Sequence, residues 1–114
     1  MGIPISGVGA AGAAVTVTVP GRRQYRTRIT GANVSMSVAP AAAVGFTMTE
    51  VQNNSVRFTL DLAAVGPQNL YPPEDGWEFE VGQDVALTLA APGGAVIGKV
   101  NAGYSYVPEA NPYT

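Results

Sequence analysis

Hydrophobic and polar residues alternate with a period of two through most of the chain, the pattern of strands with one face buried. Val15, Val17 and Val19 share one parity and Thr16 and Thr18 the other, until Pro20-Gly21 breaks the run. Tyr25, Thr27 and Ile29 then alternate with Gln24, Arg26, Arg28 and Thr30. Gly31-Ala-Asn33 interrupts, after which Val34, Met36 and Val38 alternate with Ser35 and Ser37. Phe46 and Met48 alternate with Thr47 and Thr49, and Asn53-Asn54 marks a turn because Asn tolerates positive φ. Val56, Phe58, Leu60 and Leu62 follow on one face, with Ser55, Arg57, Thr59 and Asp61 on the other, completing a hairpin signal. Residues 66–76, GPQNLYPPEDG, read as the longest irregular segment, since its prolines exclude a central strand. Trp77, Phe79 and Val81 resume the alternation, Val85, Leu87 and Leu89 continue it, and Pro92-Gly93-Gly94 turns the chain. The last run carries Val96, Val100, Ala102, Tyr104 and Tyr106 on one parity.

These runs predict an all-β chain of about eight strands at the spacing of sandwiches and jelly rolls. No helical period and no solenoid repeat is visible. The 114 residues make one domain. Its expected parts are an N-terminal arm over 1–14, a sandwich over 15–107 and an extended tail over 108–114. The arm is mostly Gly, Ala and small aliphatics, too little side chain for a core of its own. Such a segment is either disordered or laid on a neighbouring subunit. Thirteen extended residues could reach about 45 Å. On this reading, deleting residues 2–12 leaves the fold intact.

Composition narrows the chemistry. The chain has no His, no Cys and one lysine, Lys99. It therefore lacks the commonest general base and the thiol nucleophile, has no disulfide framework, and offers no thiolate metal site. Charged residues are only 12%, about half the usual share, so much of the surface must be small neutral groups. Such a surface is cheap to desolvate against other subunits, although a monomer rich in alanine would look the same. The net charge of −2 counts against nucleic acid as a partner. No run reaches the roughly 18 apolar residues of a membrane span. The apolar N-terminus lacks the basic flank of a signal peptide.

Two charged stretches stand out. Arg22, Arg23, Arg26 and Arg28 are four of the five arginines. They form either a basic stripe for carboxylates or phosphates, or a charged strand face that prevents edge pairing. The acidic stretch holds Glu74, Asp75, Glu78, Glu80 and Asp84. It has no EF-hand spacing, and opposes the Arg stripe either within one subunit or between neighbours. No catalytic residue, cofactor or metal is expected. Among the aromatics, Trp77 has core parity with Phe79 and Val81, whereas Tyr71 and Tyr113 lie in proline-rich segments where exposure is expected.

The N-terminal stretch ISGVGAAGAAVTVTVPGRRQYRTRITGANVSMS and the C-terminal DVALTLAAPGGAVIGKVNAGYSYV resemble a group of small tailed-phage and prophage virion proteins. Members share an Ala/Gly arm, an alternating Val/Thr strand ending in Pro, a basic strand with an "ITG" step, and a closing hairpin. Leu87 to Asn101 supplies that hairpin here, with Pro92 in place of a glycine. The middle, RFTLDLAAVGPQNLYPPEDGWEF, also fits, so the resemblance covers most of the chain.

The resemblance implies a jelly-roll sandwich that decorates or cements the outer surface of a tailed-phage capsid. It implies a homotrimer, with the major capsid protein as partner and no enzymatic activity. Expected contact residues are Ile3, Ile5 and Val8 in the arm and Arg22, Arg23, Arg26 and Arg28 in the basic stripe. Glu78 and Glu80 are the expected counter-charges. Other readings stay open: a head-fibre base, a tail or baseplate accessory, a carbohydrate-binding jelly roll, or a small coat protein binding genome.

Overall fold

In the computed structural model, residues 3–63, 67–72 and 76–108 are described. They form nine strands: β1 (Ile3–Val8), β2 (Val15–Val19), β3 (Tyr25–Met36), β4 (Val44–Glu50), β5 (Ser55–Leu62), β6 (Gln68–Leu70), β7 (Trp77–Val81), β8 (Val85–Leu89) and β9 (Gly98–Pro108). All pairings are antiparallel. One sheet runs β1-β9-β3-β6, with β7 also pairing β3, and the other runs β2-β8-β4-β5. The chain is thus a β-sandwich.

The inner faces are the ones the alternation marks. Val15, Val17 and Val19, Phe46 and Met48, and Val85, Leu87 and Leu89 are all buried, and they meet Ile29, Val34, Met36, Phe79 and Val100 from the opposite sheet. Fully burying one such side chain contributes about 1.5–3 kcal/mol. Trp77 is half-buried and packs beside this core, 5.2 Å from the Phe58 ring.

Three differences from the sequence reading have physical causes. First, the segments 24–30 and 34–38 do not form two strands. They are one long strand, β3, with a bulge between Ile29 and Gly31, where the pairing steps from Tyr104 to Gly103. The extra residue shifts the parity by one, so Thr27 and Ile29 and then Ala32, Val34 and Met36 all face inward. Val38, beyond the strand's end, is 51% exposed.

Second, residues 3–8 are not an arm outside the sandwich. They form β1, paired with β9 from Ile3 opposite Tyr104 to Val8 opposite Lys99. Small residues make this docking possible. A Cβ at Gly7 would lie 2.8 Å from a Val17 methyl, so glycine lets β1 close the gap to β2. Gly12, at φ +75°, then packs against the Gly94 carbonyl and leads the chain into β2. Deleting residues 2–12 would therefore strip a strand from the sheet. The tail beyond Pro108 lies outside the described residues.

Third, Gln68–Leu70, in the expected irregular segment, pairs with β3 as the short edge strand β6. In β5, a bulge opposite Met48 and Thr49 turns Val56 outward, and it is 55% exposed rather than aligned with Phe58 and Leu60.

Candidate interaction surface

The basic and acidic stretches meet within one chain, because β3 and β7 are neighbours. Arg28 stands opposite Glu78 in the ladder, and its Nη2 and Nε donate to one Glu78 carboxylate oxygen at 2.6 and 3.2 Å. Arg26 Nη1 lies 3.5 Å from Glu80. Of the two arrangements open from the sequence, the structure thus has the intrachain one for these four residues. Both pairs are about a third to a half exposed, so each contributes about 0–1 kcal/mol.

Arg22 does not join that ladder. Its guanidinium lies 4.5 Å from the Tyr25 ring centre and 5.1 Å from that of Tyr106. The Tyr106 hydroxyl donates to the Pro20 carbonyl at 2.6 Å, and burial pushes its phenol pKa up. Arg23 is exposed and has no ion pair among the described residues. The arginines therefore divide: Arg26 and Arg28 brace the sheet, Arg22 caps an aromatic pair, and Arg23 is turned to solvent. Glu74 and Asp75 lie outside the described residues.

The expected apolar contacts also divide. Ile5 packs against the core, whereas Ile3 is 48% and Val8 64% exposed. Both sit on β1, an edge strand whose sequence IPISGV carries no charge. Edge strands left open to solvent are usually blunted with charge, and here only Pro4 interrupts the row of backbone donors.

One end of the sandwich is closed by a polar latch that the sequence reading missed. Glu50, at the end of β4, is fully buried. Its carboxylate accepts the Glu80 backbone N–H at 2.6 Å and the Asn53 amide at 3.0 Å, and lies 3.4 Å from Arg57. It thereby ties one sheet to the other. The turn after β4 continues the latch: Asp84 N–H donates to the Gln52 carbonyl oxygen of its side chain, and Gln52 returns a bond to Asp84 Oδ2 at 2.9 Å. Asp84 Oδ1 accepts the Gly21 N–H at 2.6 Å, and these bonds hold its carboxyl below the usual range. The signal for Glu50 was its parity, since it follows Phe46 and Met48 in step. Asn54 supplies the positive φ expected of the turn.

Among the described residues, no three His, Cys, Asp or Glu side chains converge as metal ligands would. Tyr71 is 83% exposed, as its proline-rich setting suggests, and Tyr113 lies outside the described residues. In comparisons with known proteins, the chain matches no family model and no curated protein.

Proposed function

We propose that this protein is a decoration, or cement, protein: a non-enzymatic jelly roll that binds the outer surface of a tailed-phage capsid as a trimer. The observation that carries the reading is β1, a neutral edge strand with Ile3 and Val8 exposed beside small residues. An uncharged edge of this kind is a liability on a free protein and an asset against a protein shell. The sequence resemblance points the same way.

The strand order supports the finer fold reading. Early and late strands pair in nested fashion, β1 with β9, β2 with β8 and β3 with both β9 and β7, while β4 lies between β8 and β5. Such nesting results when one long antiparallel ribbon is rolled into two sheets. Binding only to the assembled shell would stabilise it by mass action, and several weak contacts made at once would reinforce one another. The partner is the major capsid protein, met by the β1 edge and by the exposed cation Arg23.

The test is co-sedimentation of the purified chain with capsids of its phage that lack it. Saturable binding and a raised capsid disruption temperature are expected, with binding lost in an Ile3→Asp/Val8→Asp variant that stays folded. A chain that remains in the supernatant at every concentration would refute the proposal.

A further inference from the structure

The outer face of the β1-β9-β3-β6 sheet carries a row of amides. Strand register places Ser6 opposite Asn101, Asn101 opposite Asn33, and Asn33 opposite Asn69, across four strands. Asn33 Nδ2 donates to Asn69 Oδ1 at 2.6 Å, which orients both side chains and leaves Asn33 Oδ1 and Asn69 Nδ2 without a hydrogen-bond partner among the described residues. One step along the strands, the next row holds Gly103 opposite Gly31, which put no side chain on that face. Beside them the chain leaves β6 at Tyr71, the most exposed large hydrophobic side chain among the described residues. The result is an open trough of about 430 Å³ with a backbone floor, an amide wall and an aromatic rim.

The fold does not demand glycine at 31. Its φ is not in the left-handed region, and a Cβ built there would meet no atom within 4 Å. Its effect is to keep the trough open. The bulge just before it leaves Thr30 exposed at the trough's margin, where its hydroxyl adds a further polar group.

We infer that this trough is a binding site for a neutral oligosaccharide. The described side chains that line it are neutral: amides, a hydroxyl and small or apolar groups around one aromatic ring. A pyranose presents vicinal hydroxyls that each donate and accept, matched by amides that do both, and an apolar C–H face, matched by an exposed aromatic ring. The trough lies toward the β6 edge, at the opposite side of the sheet from β1, so it stays open if β1 meets a shell. The inference stands independently of the capsid reading.

The test is an NMR titration of the ¹⁵N-labelled chain with cellohexaose, chitohexaose and maltohexaose, each up to about 10 mM, a range that captures millimolar Kd values. Expected are saturable amide shifts with at least one sugar, centred on Gly31, Asn33, Asn69, Asn101 and Gly103. Tyr71→Ala should weaken binding about ten-fold. Gly31→Leu should abolish it by filling the trough, with the rest of the spectrum unchanged. Absence of saturable shifts with all three sugars, shifts centred elsewhere, or wild-type binding by Tyr71→Ala would overturn the inference. Should Gly31→Leu prove unfolded, Tyr71→Ala, whose side chain is outside the core, decides alone.

Discussion

Replacing Glu50 with alanine tests the polar latch. The carboxylate is fully buried, and the Glu80 N–H that points at it from 2.6 Å would be left without an acceptor. An orphaned buried N–H costs about 1–3 kcal/mol. Loss of buried methylene adds about 0.8 kcal/mol. The Arg57 side chain is 45% exposed, so it returns to water and its lost partner costs about 0–1 kcal/mol. Relief from desolvating a carboxylate works in the opposite direction. The net expectation is a loss of about 2–4 kcal/mol, a large share of the 5–15 kcal/mol typical of a domain. Glu50→Gln keeps an acceptor for the Glu80 N–H and should lose less, about 1–2 kcal/mol. The assay is urea unfolding followed by Trp77 fluorescence at fixed protein concentration, comparing midpoints at constant slope. An alanine variant within about 0.5 kcal/mol of the parent would refute the latch, because that is the size of an ordinary surface substitution.

Further outcomes follow from the same contacts. The folded-state pKa of Asp84 lies below its ordinary 3.8, so its stabilisation is present above that value and is lost as pH falls through the lowered one. Asp84→Asn should therefore flatten the acid limb of the stability–pH curve below about pH 4, which thermal melts across pH 2–6 would register. A double-mutant cycle on Arg28→Ala and Glu78→Ala should give a coupling of about 0.3–1 kcal/mol that shrinks in high salt; a value near 3 kcal/mol would mean the pair is less solvated than its exposure indicates. Deleting residues 1–9 should lower stability and expose the β9 edge, seen as a lower urea midpoint together with self-association by light scattering; unchanged stability would show that β1 adds nothing to the sandwich. Gly7→Ala should speed amide exchange in β1 while leaving β4 and β8 protected, since its Cβ would press on Val17.

What could be read in the sequence was the local alternation. Val15 to Val19, Phe46 with Met48, and Val85 to Leu89 face inward as their parity says, because side-chain direction in a strand depends only on position. Bulges were not legible. The extra residue between Ile29 and Gly31 looks in sequence like the end of one strand and the start of another, although the strand continues. The docking of β1 escaped notice because its burial depends on a remote partner, β9, and on Val17 lying close to Gly7. Charge segments were visible, yet their meeting depends on β3 and β7 being neighbours, a property of topology. The amide row has the same origin: Asn33, Asn69 and Asn101 are far apart in sequence, and only register aligns them.

The most direct test of the proposed capsid role is a cryo-electron-microscopy reconstruction of tailed-phage particles produced with this chain. A decoration role predicts nine-stranded sandwiches grouped in threes on the outer surface of the shell, with β1 edges against the capsid and Tyr71 toward solvent. Density for the chain confined to the tail, or its absence from purified particles, would contradict it.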